Sequence, residues 1–416
     1  MVTINHMEIK GFSTRVIHTE YSKKDAHNAL QMPIYSNAAF EFDTAEQMED
    51  AFLGRSPDHA YSRISNPTVE NFEQRIRSIT GALSVTALSS GMAAISNVFF
   101  TIAKSGDNII TSRHLFGNTY SFLTSTLQAF GVETRFCDLT NMDEVIDAIN
   151  EKTIAIFFET ITNPQLEIAD IGLLSKIARE HDLIVIADST LTPPNIFNAL
   201  DYGVDIEVIS STKIISGGAT SMGGLILDYG KFDWSRFTKL SELAQRFGPF
   251  TFNAKLRKEI YRNLGACLSP YHAYLQSLGL ETLSLRYDKA TSNCLILAEY
   301  LQTEKKISGV NYPGLKASQF YEVGKKQFGK YPGAMLTFNL STREECFVFL
   351  NKLKLISRAT NIYDNRSLIM HPASTIFCDY TPEIRRTMGI SGTLIRMSVG
   401  IEDGNDLIND IQVALT

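Results

Sequence analysis

The chain has 416 residues, of which 44% are hydrophobic and 20% charged, and its formal net charge is −6 with a pI near 5.8. This is the composition of an ordinary globular protein that is too long for one small core, so a large domain and a second, smaller one are expected. An acidic balance argues against binding to nucleic acid or to anionic membranes.

The five cysteines are odd in number, scattered and never spaced as C-x-x-C, which argues against a disulfide framework and against a zinc site. Buried thiols are expected instead. No apolar run approaches the roughly 18 residues of a membrane-spanning helix, and the N-terminus lacks the apolar region of a signal peptide. The sequence therefore predicts a cytoplasmic protein without a bound metal.

Residues 1–64 mix turn formers with short apolar pieces and show no sustained period, which predicts an extended arm that packs on something else. Tyr61 and Arg63 lie two residues apart in this arm, so in an extended segment they would point the same way. Together they offer a phenol and a guanidinium to one phosphate. An exposed pair without such a role is the commoner alternative.

A helix is predicted directly after the arm. Asn66 before Pro67 is typical of a helix start, and four apolar residues then share one helical face up to Gly81, namely Val69, Phe72, Ile76 and Ile79.

Strands and helices alternate over the next part of the chain, which we assign to a large domain at 65–264. Strand candidates are 85–88, 108–110, 154–158, 183–187, 206–209 and 224–227. Such nearly continuous apolar strands between helix-length segments predict a mostly parallel sheet covered by helices on both faces. Ligands of such sheets gather at the carboxyl ends of the strands.

The first predicted strand runs into a glycine turn and a buried helix. Gly91 and Met92 begin that helix, where free amide donors and the helix dipole favour an anion. A short glycine turn alone is weak evidence for a phosphate site.

Polar side chains follow three of the later strands, at Asn163, at Asp188 and from Ser210 to Lys213. A lysine desolvated at a strand end has a lowered pKa and can form a Schiff base with an aldehyde, and the neighbouring hydroxyls of Ser210 and Thr212 suit a phosphate. A surface lysine and a turn-capping aspartate are the alternatives for each residue alone. A lysine, a carboxylate for a pyridine nitrogen and a glycine-led helix are, together, the parts that a pyridoxal phosphate enzyme requires.

The pattern of apolar and polar residues changes after residue 264. This change predicts a smaller α/β domain at 265–416 behind a helical linker. A strand is expected at 334–338. Arg396 lies among apolar neighbours in a strand pattern, as a partly buried cation that seeks a carboxylate would. His371 is interpreted as a core histidine.

Six short motifs, in this order, closely resemble the Cys/Met-metabolism family of pyridoxal phosphate enzymes, and the match runs nearly end to end. The motifs are YSRISNPT at 61–68, SSGMAAI at 89–95, ADST at 187–190, SSTK at 210–213, HPAST at 371–375 and LIRMSVGIED at 394–403. The resemblance implies the fold-type I architecture: a large, mostly parallel sheet domain with helices on both faces and a smaller C-terminal α/β domain.

The resemblance also implies a role for each matching residue. Lys213 would carry the cofactor and Asp188 would pair with its ring nitrogen. The phosphate would be held by Gly91, Met92, Ser210 and Thr212, and the phenolic oxygen by Asn163. Arg396, with Asn361, would bind the substrate carboxylate. Tyr61 and Arg63 would reach the phosphate of the neighbouring subunit, so the active unit would be a dimer or a tetramer of two dimers.

Segments at 230–234, 263–286 and 312–315 look most like the O-acetylhomoserine sulfhydrylase branch, whose members replace the acyloxy group of an activated homoserine with sulfide or a thiol. Methionine γ-lyase, another C–S lyase, cystathionine γ-synthase and a degenerate binding protein are the alternatives.

Several positions depart from the family pattern. Phe116 stands for the tyrosine that stacks on the cofactor, Ile214 for an aromatic residue, Gly218 for a histidine and Tyr363 for a frequent glycine. Asn118 stands where the lyases commonly have a cysteine, which counts against them.

Overall fold

The computed structural model describes residues 11–19, 25, 27–330 and 332–416, so the start of the predicted arm lies outside the described residues. Two sheets organise the described part of the chain. The strands of the large sheet are β1 (Ser84–Leu88), β2 (Asn108–Ser112), β3 (Glu133–Cys137), β4 (Thr153–Glu159), β5 (Ile184–Asp188), β6 (Ile206–Ile209) and β7 (Gly224–Asp228). Those of the small sheet are β8 (Ser308–Asn311), β9 (Met335–Asn339), β10 (Ser357–Arg358), β11 (Leu368–Met370) and β12 (Leu394–Ser398).

The helices surround these sheets. They are α1 (Phe12–Ile17), α2 (Ala45–Leu53), α3 (Pro67–Thr80), α4 (Gly91–Ile102), α5 (Gly117–Ser121), α6 (Met142–Ala148), α7 (Ile171–Glu180), α8 (Ser241–Phe247), α9 (Thr251–Lys255), α10 (Arg262–Leu264), α11 (Pro270–Glu281), α12 (Leu283–Thr303), α13 (Tyr321–Phe328), α14 (Arg343–Lys352), α15 (Pro382–Thr387) and α16 (Gly404–Leu415). Segments with π-helical hydrogen bonds, Phe122–Leu127 and Leu256–Tyr261, continue α5 and join α9 to α10.

The helix predicted after the arm forms as expected. The Asn66 side chain accepts a hydrogen bond from the amide of Thr68, Pro67 occupies the first turn, and Gly81 ends α3 in a left-handed conformation. The four apolar residues of the predicted face are all buried.

The large sheet has the strand order β1-β7-β6-β5-β4-β2-β3 and is mostly parallel, as predicted. Strand β7 is antiparallel to both of its neighbours, β6 and β1. Strand β1 therefore runs in the same direction as β2 to β6, and the carboxyl ends of these strands share one edge. That edge is where ligands of open α/β sheets bind.

Alternate residues of each central strand enter opposite cores. In β5, Val185 and Ala187 join the cluster that includes α3, α7 and the small sheet, whereas Ile184 and Ile186 join the cluster around α4. A strand buried on both sides needs apolar residues at every position, which explains the continuous apolar runs in the sequence.

The small sheet has the order β10-β11-β12-β9-β8, and its central strand β12 carries Arg396. All five residues of β12 are buried. This sheet packs into the same core cluster as one face of the large sheet. The domain limits at 64/65 and 264/265 stay a prediction.

The large sheet and the cysteines each differ from the expectations in one respect. Strand β3 was not predicted, because a polar edge strand, ETRFC, lacks the apolar run that marks the others. The expectation of buried thiols is right for Cys137, Cys294 and Cys346, but Cys378 is exposed and Cys267 half-buried. Within the described ranges, no helix has the length and apolarity to cross a membrane.

A close approach of backbones at the carboxyl edge gives the first testable prediction. A Cβ at Gly224 would lie 2.0 Å from the carbonyl oxygen of Ser90, just before α4, whereas a Cβ at Gly392 would meet nothing within 4 Å. We expect Gly224→Ala to lower the free energy of unfolding by about 1–3 kcal/mol, because the backbone at Ser90 must move. Urea unfolding followed by circular dichroism measures this. Gly392→Ala is the matched control, and equal stability of the two variants would contradict the close approach.

Candidate active site

A cavity of about 430 Å³ opens at the shared carboxyl edge of the large sheet and is closed on its other side by the small sheet. It brings together every predicted site residue except Tyr61 and Arg63. Those lining it are Gly91, Met92, Phe116, Asn163, Asp188, Ser210, Thr212, Lys213, Asn361 and Arg396.

One end of the cavity is built for an anion. Helix α4 begins at Gly91, where the Ser90 hydroxyl accepts a hydrogen bond from the Ala93 amide. The first amides of a helix have no acceptor within it and carry the positive end of its dipole. A Cβ at Gly91 would lie 2.7 Å from the Cβ of Ser210, so glycine alone lets the helix approach the turn that carries Ser210. The Thr212 hydroxyl donates a hydrogen bond to the carbonyl of Gly223 and accepts one from its amide.

Lys213 lies at the end of the turn after β6. Its Nζ donates a hydrogen bond to Asn361 Oδ1 at 2.7 Å. Burial, aided by the positive charge of Arg396, lowers the pKa of Lys213 to about 8, and the carboxylate of Asp188 acts in the opposite direction. The amine is thus easier to deprotonate than an ordinary lysine.

Asp188 ends β5, and its Oδ1 accepts a hydrogen bond from the amide of Thr190 at 2.9 Å. Burial raises the pKa of this carboxyl above its ordinary value, while the contacts with Thr190 and the charge of Lys213 lower it. A buried carboxylate beside a cavity favours a positively charged or proton-bearing ligand group.

A second carboxyl, Glu159, lines the cavity and was missed from the sequence. It ends β4 directly opposite Asp188 in the sheet register. Burial and the charge of Asp188 raise its pKa to about 8. Its position directly after an apolar strand, like that of Asp188, was the signal that could have identified it.

Arg396 reaches the cavity from the small sheet and is 2% exposed. Its Nη1 donates to Asn163 Oδ1 at 3.1 Å and its Nη2 to the carbonyl of Thr360 at 2.9 Å. Its Nε is buried without a hydrogen-bond partner in the described part of the chain. Burial lowers the pKa of this guanidinium to about 10. The expected carboxylate partner is not among the hydrogen-bond partners described for Arg396, so the cation remains available to a ligand.

Tyr61 and Arg63 do not line the cavity of their own chain. Arg63 stacks on the Tyr61 ring at 5.4 Å and donates to the carbonyl of Arg262 at 2.6 Å, while Tyr61 is 41% exposed.

His371 is a core residue, as interpreted: its Nδ1 contacts the Ser374 hydroxyl at 2.9 Å and its Nε2 the Gly392 carbonyl at 2.8 Å.

Two of the unusual residues have a structural reason. A Cβ at Gly218 would lie 2.4 Å from Asn365 Nδ2, so a side chain at 218 would displace Asn365. Tyr363 has a φ of 54°, a left-handed conformation that suits glycine, and its hydroxyl donates to the Leu191 carbonyl at 2.6 Å. That bond ties the segment carrying Asn361 to the loop after β5.

The residues present fit pyridoxal phosphate. The glycine-lined helix start would accept its phosphate, Lys213 its aldehyde and Asp188 its ring nitrogen. The Nε of Arg396, which has no partner among the described residues, would be left for a substrate carboxylate.

The charges around Lys213 give a prediction for the cofactor-free protein. An uncharged reagent that reacts with amines should label Lys213 at half its maximal rate near the pKa of about 8. The reason is that only the neutral form of the amine is a nucleophile. Asp188→Asn removes a charge that raises this pKa, so its midpoint should fall. Arg396→Gln removes one that lowers it, so its midpoint should rise. Mass spectrometry across a pH series measures both, and shifts in the same direction would contradict the described electrostatics.

Known proteins resemble this chain over nearly its whole length. The family model for Cys/Met metabolism PLP-dependent enzymes matches residues 13–416. The chain is 36% identical over 414 residues to L-methionine gamma-lyase of Pseudomonas putida, covering 98% of each protein.

Two solved structures are also similar. A putative O-acetylhomoserine (thiol)-lyase from Campylobacter jejuni, which holds N'-pyridoxyl-lysine-5'-monophosphate, superposes with a TM-score of 0.92 at 32% identity, over 98% of this chain and 100% of that one. O-acetylhomoserine sulfhydrylase of Wolinella succinogenes is 45% identical with a TM-score of 0.76, over 85% of this chain and 99% of that one. With its family model spanning nearly the whole sequence, the chain belongs to the Cys/Met metabolism family of pyridoxal phosphate-dependent enzymes, with the fold-type I architecture.

Proposed function

We propose that this enzyme replaces the acetyl ester of O-acetylhomoserine with sulfide or a small thiol, releasing acetate and giving homocysteine or methionine. Such a reaction belongs to transsulfuration and methionine biosynthesis. The similarity to the sulfhydrylase of Wolinella succinogenes, at 45% identity, supports this assignment.

The observation that carries the proposal is that Lys213 and Arg396 are the only cations among the described residues that line the cavity. Uncharged residues elsewhere in the lining include Leu191, Met222, Ile362, Ile376 and Asn118. A succinyl or phosphoryl ester carries a further negative charge, which would be costly to bury against apolar side chains without a cation. A neutral acetyl group has no such cost.

Phe116 supports the same choice of leaving group. Its ring lines the cavity but offers no phenol to protonate a leaving atom. Acetate leaves without a proton, whereas the methanethiolate of methionine gains more from an acid. An ester substrate therefore suits this site better than a thioether.

The residues of the chain would divide the work as follows. Bound pyridoxal phosphate withdraws electrons from the α carbon of an attached amino acid. Arg396 would bind the substrate carboxylate and Asp188 would keep a proton on the ring nitrogen. Lys213 Nζ would remove the α proton and then a β proton, so that the ester can leave the γ carbon, and would return protons after sulfide adds there. The contact with Asn361 aims this amine.

Tyr61 and Arg63 lie away from their own cavity, which agrees with service to a neighbouring subunit. We propose that the working enzyme is a homodimer with shared sites, or a tetramer of such dimers, acting in the cytoplasm on a small amino acid. Exposed apolar residues of α2, Met48, Phe52 and Leu53, suit such a contact.

Elimination from methionine is the second candidate, because the methionine gamma-lyase of Pseudomonas putida is 36% identical. Other C–S lyases and cystathionine γ-synthase remain further alternatives within the family. A degenerate binding protein is disfavoured, because Lys213, Asp188 and Arg396 all line one cavity.

Steady-state assays decide between replacement and elimination. We expect O-acetylhomoserine to be consumed much faster than methionine, with homocysteine as the main product when sulfide is present. Lys213→Ala is the control and should lose turnover by several orders of magnitude while still binding the cofactor. Faster consumption of methionine, or 2-oxobutyrate and ammonia as the main products at saturating sulfide, would contradict the proposal.

The variant Phe116→Tyr tests the leaving-group argument within the same assays. A phenol at this position should raise the rate of methionine elimination relative to ester replacement. If the ratio of the two rates stays unchanged, the missing phenol does not set the choice of leaving group.

Subunit mixing tests the shared site. Chains carrying Arg63→Ala and chains carrying Lys213→Ala should each be weakly active, but mixed dimers can assemble one site in which both residues are intact. We expect partial recovery of activity once exchange has been demonstrated by mass. No recovery in exchanged dimers would mean that Arg63 and Lys213 act in the same chain.

A further inference from the structure

We propose that Glu159 is a positioning residue of the active site, whose two carboxylate oxygens fix the main chain at Phe116 and Asn163 and thereby the separation of those two side chains. This inference rests on the cofactor site proposed above. It assigns a task to a buried carboxyl that the proposed chemistry leaves unused.

The contacts of Glu159 are divided between two loops. Its Oε1 accepts the amide of Phe116 at 2.7 Å, in the loop between β2 and α5. Its Oε2 accepts the amide of Asn163 at 3.1 Å, in the loop after β4. One side chain at a rigid strand end therefore joins two segments that are far apart in the sequence.

Both joined segments carry a predicted contact to the cofactor. Phe116 would stack on the ring, and Asn163 would donate to its phenolic oxygen while its own Oδ1 accepts from Arg396. A shift of either loop would move the ring relative to Lys213 and Asp188. Catalytic groups lose much of their effect when misplaced by about 1 Å, so a fixed separation of these loops has a functional value.

Packing alone does not account for a carboxyl at this position. Glu159 is 8% exposed and faces Asp188 across the strand register, and both features disfavour its charged form. A buried charge near another of the same sign costs stability, and apolar residues replace such groups without loss in many proteins. A carboxyl group offers what an apolar residue lacks, which is two acceptor oxygens at a set distance.

The next strand but one supplies a matched control. Glu207 on β6 is also fully buried and also lies near Asp188, and burial raises its pKa to about 7. It accepts hydrogen bonds from the hydroxyls of Tyr229, at 2.5 Å, and Ser189. It holds neither loop and is not part of the cavity lining.

The test compares holoenzymes carrying Glu159→Gln, Glu159→Asp and Glu207→Gln. Glutamine keeps the length of the side chain but turns its amide NH2 toward one of the two main-chain amides, and aspartate keeps the carboxyl group but is too short to span both loops. We expect both Glu159 variants to weaken cofactor binding about tenfold, as for the loss of one buried hydrogen bond. We also expect them to reduce the visible circular dichroism of each bound cofactor, which reports how the ring is held.

Glu207→Gln should lower thermal stability and leave the circular dichroism of the bound cofactor unchanged. A purely structural role of Glu159 would give the same pattern in its own variants and would overturn the proposal. If Glu159→Gln does not fold, Glu159→Asp gives the same readout. Phe116→Ala and Asn163→Ala serve as positive controls. Unchanged dichroism in these two variants would overturn the cofactor site itself and this inference with it.

Discussion

Two polar contacts join the parts of the chain that line the candidate site. Arg396, on the central strand of the small sheet, donates to Asn163 in the loop after β4, and Lys213, in the turn after β6, donates to Asn361 in the segment between β10 and β11. Each contact places a cation in a setting with little water, where its interaction with a ligand is strong and its isolation is costly. Within the described residues, the Nε of Arg396 has no hydrogen-bond partner, so the guanidinium can still bind an anion.

Burial and two opposing charges set the pKa of Lys213. Burial and Arg396 favour the neutral amine, and Asp188 limits that effect. Asp188 is itself faced by Glu159 across the strand register, so three ionisable groups share a small volume at the sheet edge. Active sites are the places where such crowding of titratable groups is kept, because the shifted pKa values serve the chemistry.

Reaction type is set by finer features than those that set the family. Relatives of this chain are named as a methionine gamma-lyase and as an O-acetylhomoserine sulfhydrylase. A shared fold and cofactor therefore do not fix the reaction, which depends on the residues that line the site. In this chain the cavity lining includes Phe116, Asn118 and Met222.

The sequence by itself determined the strands of the large sheet, except for the polar edge strand β3, because apolar runs mark strands that are buried on both faces. It also marked Asp188, Lys213 and the helix start at Gly91, since polar residues directly after such strands must lie at one edge. Only the tertiary structure decided which distant segments meet there. Three hydrogen bonds join residues that are far apart in the chain. They run from Lys213 to Asn361, from the amide of Phe116 to Glu159 and from Arg63 to the carbonyl of Arg262. Sequence periodicity reports the burial of a side chain and not its partner, so these contacts follow from the packing of the two sheets.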